Sequence, residues 1–473
     1  MTIATRPSTL AHSSAPAGDQ LEALRSRLTG ALITPASPDY DEARAVVYIT
    51  IDRHPLAIVR AANAEDVAAA VTFARDHALP LAVRSGGHSL AYLSVIDNAL
   101  VVDLSGMKRI SIDPAARIAR AQAGATSGDL AGPANAHGLA LSTGDTHSVG
   151  FGGLTTGGGV GFMVRKYGLA IDNLLAAQVV TAAGDIVTAS ADEHPDLFWA
   201  IRGGGGNFGI VTEFTFRLAP VGQVLGGELL LPASREVLRG CLDYAASAPD
   251  DLTTIANLMH APPAPHVPPE RVGELVLSIL VCWTGSIADG ERALAPLRAL
   301  ATPVADTVIP IPYPESYRFT AHQAAPHAAS IRMMFADALS YAALDTALAA
   351  MDRATSPYSM IQFRGLGGAM ARVPNGATAF AHRDRRYFVA IIGLWLDAGE
   401  VAALHQAWTA SLWEAIRHEG AGAYVNFLED EGAGRVREAY PAATFARLAA
   451  IKQRYDPGNL FRFNQNIPPA AGS

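Results

Sequence analysis

Residues 149–161 of the chain have the sequence VGFGGLTTGGGVG, which contains more glycine than any other residue. Two further glycine clusters lie on either side of it, RSGGHS at residues 84–89 and RGGGGNFGIV at residues 202–211. Glycine permits sharp turns in which several backbone N–H groups converge on one anion, such as the pyrophosphate of a nucleotide. One such cluster is typical of an ordinary tight turn between strands. Three of them within about 130 residues indicate a phosphate-bearing ligand.

The long glycine stretch does not match the two commonest nucleotide-binding motifs. A Rossmann fingerprint needs the spacing G-x-G-x-x-G between a strand and a helix, with an acidic residue about 20 positions later. Gly150, Gly152 and Gly153 do not have this spacing. A Walker A loop ends in G-K-S or G-K-T, and neither occurs in the chain. The ligand must therefore be recognised through another motif.

The composition around these clusters is that of a globular protein. Of 473 residues, 50% are hydrophobic and 17% are charged, and the formal net charge is −8. There is no basic stripe, so we expect no nucleic-acid partner. No run of about 18 apolar residues predicts a membrane helix, and the first 20 residues lack the apolar core of a signal peptide. We therefore predict a cytoplasmic protein without a membrane partner, either a monomer or a homodimer.

The two cysteines, Cys241 and Cys282, exclude a disulfide framework. We expect both to be small buried hydrophobic residues, and we predict no metal site. From residue 55 the pattern alternates strand and helix, and Asn63 is placed to cap a helix that runs to residue 77. After residue 220 the pattern changes to long apolar strands and amphipathic helices. This predicts an antiparallel sheet backed by helices.

Three motifs together resemble one family. RSGGHS at residues 84–89, VDLS at residues 102–105 and the stretch 149–161 look like the flavin domain of the berberine bridge enzyme-like oxidases, in the vanillyl-alcohol oxidase superfamily. Residues 455–468 resemble the closing segment of that family. The resemblance is strong over residues 40–220 and clear over 420–470, with a weak match at 379–383. It points to the bacterial secondary-metabolite or 6-hydroxynicotine-oxidase-like branch.

The resemblance implies an α+β fold, in which a PCMH-type FAD-binding domain carries an antiparallel-sheet substrate domain covered by helices. We expect residues 1–34 to form a flexible tail and the first helix. Residues 35–220 are expected to form the FAD domain, residues 221–419 the substrate domain, and residues 420–473 a segment that returns to the FAD domain. The flavin is expected between the two domains, where ligands commonly bind.

The resemblance also implies the cofactor site. His88 is expected to bond covalently to the 8α-methyl carbon of FAD, and Arg84 either offsets phosphate charge or is an ordinary surface arginine. Many relatives carry a second covalent link through a cysteine where this chain has Thr146, so we predict a single link. The expected cofactor-binding residues are Arg84, Ser85, Gly86, Gly87, His88, Ser89, Gly144, Thr146, Ser148, Val149, Gly150, Gly153, Thr156, Gly157, Gly158, Gly161, Gly209, Ile210, Val211, Asn426 and Asn464.

The catalytic residues are harder to assign. Several alcohol-oxidising relatives deprotonate the substrate with a tyrosine where this chain has Phe427. Tyr424 can replace it only with a pKa far below the usual value of about 10. Tyr92 either hydrogen-bonds substrate or only packs, and His147 and His382 are either catalytic or structural. We take Tyr424, Tyr92 and His147 as the catalytic candidates.

The implied reaction is hydride transfer from a small organic substrate to FAD, followed by reoxidation with O₂ to give H₂O₂. Val149 stands where a valine in relatives leaves a path for O₂, which favours an oxidase. The substrate is an amine, an alcohol, or a polyketide or phenolic metabolite. An oligosaccharide oxidase needs an open groove lined by aromatic residues. The candidates for such a groove in the middle of the chain are expected to lie in the core instead: Trp283, Tyr313, Tyr317 and Trp395. The alternatives are a flavin dehydrogenase with another acceptor and a flavin-binding protein without turnover.

Overall fold

The computed structural model describes residues 18–471. The predicted tail at residues 1–17 lies outside the described residues. The strands are β1 (Ala31–Ile33), β2 (Ala57–Arg60), β3 (Leu81–Arg84), β4 (Leu100–Asp103), β5 (Ile110–Asp113), β6 (Ile118–Gln122), β7 (Leu139–Ala140), β8 (Leu174–Val180), β9 (Ile186–Ser190), β10 (Ile210–Arg217), β11 (Ala219–Pro220), β12 (Gln223–Pro232), β13 (Leu252–His260), β14 (Leu275–Trp283), β15 (Ala305–Asp306), β16 (Ile309–Pro312), β17 (Ala328–Ala336), β18 (Met360–Gly365), β19 (Tyr387–Trp395) and β20 (Gly420–Ala421).

The α-helices alternate with these strands. They are α1 (Gly18–Arg25), α2 (Tyr40–Arg44), α3 (Ala64–Asp76), α4 (Ser127–Asn135), α5 (Phe151–Gly157), α6 (Val164–Tyr167), α7 (Pro195–Ala200), α8 (Arg235–Ser247), α9 (Ile287–Arg298), α10 (Tyr341–Met351), α11 (Gly368–Arg372), α12 (Ala402–Ile416), α13 (Ala433–Glu438) and α14 (Ala442–Tyr455). Short 3-10 helices add Ala170–Asp172, Gly205–Asn207, Pro269–Arg271, Tyr313–Ala324, Arg417–Glu419 and Val425–Phe427. Within residues 18–471, no helix combines the length and apolar character that a bilayer span requires.

The first sheet has the strand order β1-β2-β4-β3, with β2 and β3 both parallel to β4. Helix α3 makes the crossover from β2 to β3, as the alternating pattern predicts. Its cap is Asn63, whose side chain accepts a hydrogen bond from the Asp66 N–H at 2.8 Å. Strand β1 precedes the predicted domain start at residue 35, yet it pairs with β2.

The second sheet is antiparallel, with the order β5-β6-β10-β8-β9. It contains two hairpins, β5–β6 and β8–β9. Apolar residues of both sheets and of α3 form one continuous core. The long glycine stretch contains the short helix α5, whose first residue, Phe151, packs in this core.

The third sheet is the largest, with nine antiparallel strands between β12 and β20. Helices α8, α9, α10 and α12 cover one of its faces. The side chains of β19 alternate: Ile391 packs toward these helices, whereas Ile392 packs toward the core of the first two sheets. The α+β class and the helix-backed antiparallel sheet are therefore confirmed.

The C-terminal segment returns to the first half of the chain and is fastened there by a buried ion pair. Lys452 Nζ lies 2.6 Å from Asp456 Oδ2 and also donates to the carbonyls of Asn207 and Phe461. Asn207 in turn accepts the Ile467 N–H at 2.9 Å. These bonds tie the end of the chain to the third glycine cluster.

Candidate active site

A cavity of about 360 Å³ lies between the glycine clusters and the face of the nine-stranded sheet that is turned away from helices α8, α9, α10 and α12. This volume is in the range of ligand pockets. We call its first side the glycine wall, which is formed by lining residues within 85–89, 144–156 and 204–211. We call the opposite side the sheet wall, which is formed by Ala329, Ile331, Met360, Gln362, Arg364, Ile392 and Leu394.

The glycine wall depends on backbone contact between two loops. A Cβ atom added to Gly86 would lie 2.4 Å from the Gly150 nitrogen, and one added to Gly150 would lie 2.6 Å from the Gly86 nitrogen. Both distances are too short for any side chain. Ser85 Oγ stabilises the junction by donating to the Ala123 carbonyl at 2.6 Å. Glycine is therefore required here so that the two loops can touch.

His88 lies where the two loops meet. Its Nε2 is 2.9 Å from Ser148 Oγ, and the residue lines the cavity. Burial lowers the pKa of His88 to about 4, and the neighbouring His327 and His147 act in the same direction. The imidazole is therefore neutral near pH 7. Because Ser148 occupies Nε2, the Nδ1 atom is left without a hydrogen-bond partner in the described part of the chain.

The backbone around His88 offers free donors. The N–H groups of residues 86–89 donate no hydrogen bond to any atom within residues 18–471. Gly87 is buried, and residues 86, 88 and 89 are partly buried. All four residues line the cavity, so their N–H groups are available to a ligand that accepts hydrogen bonds.

Tyr424 is fully buried and its hydroxyl is already engaged. It accepts hydrogen bonds from the Gly159 N–H and from Asn426 Nδ2, each at 2.9 Å. Burial raises the pKa of Tyr424 to about 12, although these hydrogen bonds act in the opposite direction. A base needs the opposite shift. The proposed role of Tyr424 as a base stays a prediction, and this environment does not favour it.

Phe427 lies beside an arginine. Its ring is 5.3 Å from the Arg364 guanidinium and packs edge-on against Phe388 at 4.8 Å. The Tyr424 ring also stacks against the Phe427 ring, with 5.8 Å between the ring centres. Phe427 therefore makes aromatic contacts next to the Arg364 cation and offers no hydroxyl group that could act as a base.

Polar groups on the sheet wall are bonded to one another. Arg364 pairs with Asp145 of the glycine wall at 2.7 Å, and both side chains are buried. Arg364 Nε donates to Gln362 Oε1 at 2.7 Å, and Gln362 Nε2 donates to Asn257 Oδ1 at 2.9 Å. This chain of contacts joins the two walls.

Most of the predicted cofactor residues line the cavity. These are Ser85, Gly86, Gly87, His88, Ser89, Gly144, Thr146, Val149, Gly150, Gly153, Thr156, Gly209, Ile210, Val211, Asn426 and Asn464. Thr146, at the place of the second covalent link in relatives, donates its hydroxyl to Gln323 Oε1 at 2.8 Å. The three glycine clusters are thus brought to one side of one cavity.

Five predicted cofactor residues do not line the cavity. Gly157, Gly158 and Gly161 pack behind the glycine wall, where Gly157 touches the Asn426 side chain. Ser148 lies behind His88 and reaches the cavity only through it.

The Arg84 guanidinium takes part in an internal ion pair. It lies 2.6 Å from Asp103 and also donates to the carbonyls of Ala43 and Ala45. Arg84 is buried, so it is not an ordinary surface arginine, and its role toward the cofactor stays a prediction.

Two catalytic candidates, Tyr92 and His147, do not line the cavity, and their catalytic roles stay predictions that this placement does not favour. Tyr92 donates its hydroxyl to the Ala329 carbonyl at 2.8 Å and packs edge-on against Tyr48 at 5.1 Å. Its backbone has a φ of 58°, which is uncommon for a residue other than glycine. His147 accepts the Gly128 N–H through its carbonyl. His382 stacks on Phe335 and hydrogen-bonds to the Glu438 carbonyl, outside the cavity.

Sequence reasoning missed the residues that complete the cavity. They are the sheet wall as a set, and also Tyr48, Gln323, His327, Val425, Phe461, Phe463 and Gln465. The only signal for the sheet wall is the period-two pattern of its strands. The four aromatic residues expected in the core, Trp283, Tyr313, Tyr317 and Trp395, are buried and lie outside the cavity lining.

The residues of the glycine wall fit FAD. Free backbone donors at residues 86–89 suit an anionic or carbonyl-rich cofactor, and the neutral His88 suits a covalent link. Asn464 lines the cavity with a buried Oδ1 atom that has no partner within residues 18–471. An unsatisfied buried acceptor of this kind indicates a missing donor.

Comparison with known proteins supports the same cofactor. Residues 55–190 match the family model of an FAD binding domain, and residues 423–468 match the model described as berberine and berberine like. The chain is 33% identical to (R)-6-hydroxynicotine oxidase of Paenarthrobacter nicotinovorans, over 93% of this chain and 97% of the relative. It is 31% identical to xylooligosaccharide oxidase of Thermothelomyces thermophilus, over 88% of both chains.

A solved structure shows the same fold over nearly the whole chain. The crystal structure of 6-hydroxy-D-nicotine oxidase from Arthrobacter nicotinovorans superposes with a TM-score of 0.82 at 30% identity. The match covers 94% of this chain and 98% of that one. The two chains therefore share one overall fold. The chain is an oxidoreductase that belongs to the berberine bridge enzyme-like family of FAD-linked oxidoreductases.

Proposed function

We propose that the protein is an FAD-linked oxidase that takes a hydride from a small organic substrate and reduces O₂ to H₂O₂. FAD, when bound, supplies the hydride acceptor and passes the electrons on to O₂. The proposal rests above all on His88, a neutral imidazole at the junction of two glycine loops that line the cavity. The oxidase names of two relatives that the chain matches over most of its length support the choice of acceptor.

We propose that His88 holds FAD by a single covalent bond, formed through Nδ1. Support comes from the hydrogen bond between Nε2 and Ser148, which leaves Nδ1 as the free nitrogen. A neutral imidazole has the lone pair that a nucleophile needs. Thr146 offers a hydroxyl that already binds Gln323, so it supplies no second link.

The cavity contains no tyrosine that is set up to act as a base. Val149 lines the glycine wall, and we propose that it leaves the approach for O₂ open. Phe427 has no hydroxyl, and the Tyr424 hydroxyl accepts two hydrogen bonds at a raised pKa. Substrates that release hydride without prior loss of a proton therefore suit this site best. These include uncharged amines and activated carbons of phenolic or polyketide compounds.

We further propose that residues 35–220 and 420–473 hold the cofactor while residues 221–419 cover the substrate. The ties between Lys452, Asn207 and Phe461 support this division, because they fix the returning segment beside the third glycine cluster. The sheet wall comes entirely from residues within 221–419.

The test begins with acid precipitation of the purified protein. We expect the yellow colour to remain in the pellet and to be absent from it in His88→Ala. The exposed His418 provides the matched control, because His418→Ala should leave the pellet yellow. Yellow supernatant from the unchanged protein would refute the covalent bond, and colourless protein that binds no added FAD would refute the flavoenzyme.

Oxygen consumption separates an oxidase from a dehydrogenase. With a substrate that bleaches the flavin, we expect H₂O₂ to appear in proportion to substrate consumed. Fast reduction of an artificial dye together with negligible H₂O₂ release would instead identify a dehydrogenase.

A further inference from the structure

We infer that the substrate is a neutral, mainly apolar molecule that rests on the sheet wall, with one hydrogen-bonding group directed toward Gln323 and His327. This inference rests on the proposed function, because it assigns the glycine wall to the cofactor and leaves the sheet wall for the substrate. It excludes oligosaccharides and permanently charged amines as substrates.

The sheet wall presents a continuous apolar row. Ile392 of β19 pairs with Ile331 of β17 on one side and with Met360 of β18 on the other. Opposite residues in adjacent antiparallel strands lie on the same face and in contact. Leu394 pairs with Ala329 in the next row toward the end of β19. Five neighbouring side chains therefore form one apolar surface against the cavity.

The polar residues of the sheet wall are engaged mainly with one another. Gln362 uses its oxygen for Arg364 and its nitrogen for Asn257. Arg364 Nη2 lies 2.7 Å from Asp145, and the guanidinium carbon of Arg364 lies 5.3 Å from the centre of the Phe427 ring. A sugar on this surface would exchange its hydration for few new hydrogen bonds. Burial of unpaired hydroxyl groups is costly.

A cationic substrate would also lack a partner. Asp145 is neutralised by Arg364, and Glu429 is held by Arg332 and by the Ile331 N–H at 2.6 Å. Within residues 18–471, the only acidic residue that lines the cavity is Asp145. A buried ammonium group needs an opposite charge, so an amine would have to bind in its uncharged form.

One end of the cavity retains hydrogen-bonding capacity. Gln323 and His327 lie in the segment that leads into β17, and both line the cavity. Gln323 accepts from Thr146 through Oε1, and His327 Nδ1 lies 2.8 Å from the Ala325 carbonyl. Gln323 Nε2 and His327 Nε2 have no partner in the part of the chain that the structure describes. These two atoms can recognise a single hydroxyl or carbonyl group of an otherwise apolar substrate.

The experiment measures ligand binding to the yellow holoenzyme. Naphthol, xylobiose and the permanently charged benzyltrimethylammonium are titrated separately, and binding is followed by the change in the flavin absorption spectrum. We expect naphthol to bind at least about tenfold more tightly than either of the others, a ratio in the range that apolar pockets provide. Equal or tighter binding of xylobiose or benzyltrimethylammonium would overturn the inference.

Matched variants of β19 locate the binding surface. Ile392→Thr replaces an apolar group on the sheet wall by a hydroxyl and should weaken naphthol binding about tenfold. Ile391→Thr makes the same change at the next residue, which faces the helices, so it should leave binding within about twofold. Equal losses in the two variants would refute the assigned surface. If Ile392→Thr does not fold, the milder Ile392→Val should weaken binding without loss of thermal stability beyond that of Ile391→Val.

Failure of the inference differs from failure of the proposed function. Spectral binding needs the flavin but no turnover. A yellow protein that prefers xylobiose would refute the inference alone. A protein that never holds FAD would refute the proposed function before any ligand is tested.

Discussion

The glycine wall and the sheet wall face the same cavity, but the first is made of backbone and the second of side chains. At Gly86 and Gly150 the loops approach so closely that neither position can carry a Cβ atom. At Ile392 and Met360 the backbone is an ordinary strand, and only the side chains touch the cavity. Close backbone contact therefore limits which residue types can occur in the glycine wall, whereas the character of the sheet wall depends on which apolar or polar group each strand presents.

The most severe way to break the glycine wall is a single methyl group. Gly86→Ala would bring a Cβ atom within 2.4 Å of the Gly150 nitrogen, and backbone cannot rotate away as a side chain can. We expect no folded yellow protein to be recovered. Gly132→Ala, in helix α4 with no atom within 4 Å of the new Cβ, should keep flavin content and thermal stability. Flavin absorbance per protein and thermal unfolding measure both outcomes.

The ion pair that joins the two walls should have the next largest effect. Arg364→Met removes the partner of the buried Asp145 carboxylate, and leaving a buried charge unpaired costs about 3 to 5 kcal/mol. Arg372→Met breaks an exposed pair with Asp250, so it should cost less than about 1 kcal/mol. Denaturant unfolding of the two variants gives both values. Similar losses in both would show that Asp145 and Arg364 do not depend on each other.

His88 is the side chain that lies where the backbone loops of the glycine wall meet. We expect flavin attachment at His88 to be independent of pH over the range given below. Because the folded pKa of His88 is about 4, the imidazole stays neutral as pH falls from about 8 to about 5. The yield of acid-stable flavin after FAD is added to flavin-free protein should therefore be constant over that range. A histidine with an ordinary pKa of about 6.5 would be half protonated at a pH of about 6.5, and the protonated half could not act as a nucleophile. A decline centred near pH 6.5 would contradict the lowered pKa.

The glycine wall could be predicted from the sequence because its requirement is local. Clustered glycines mark positions where loops turn or touch, and His88 follows two of them directly. The covalent role of His88 and the absence of a second link at Thr146 stay predictions. The ion pair of Arg84 was missed because its partner, Asp103, lies on a neighbouring parallel strand that composition alone does not reveal.

The sheet wall could not be predicted because alternation does not say which face a strand turns to the ligand. Ile391 and Ile392 are chemically identical neighbours, and only the tertiary packing assigns one to the helices and the other to the cavity. The environment of Tyr424 was hidden for a similar reason. Its hydroxyl accepts from Gly159, which lies in a distant part of the chain.

The hydrogen bond from Lys452 to the Asn207 carbonyl joins two segments that are synthesised at different times. A polypeptide leaves the ribosome from its N-terminal end, and early segments fold first. The loop at residues 204–207 is held through Asn207 by Lys452, Gln465 and Ile467, so its support is translated together with the last residues that line the cavity. The loop can therefore reach its final setting only after residue 467 has been synthesised.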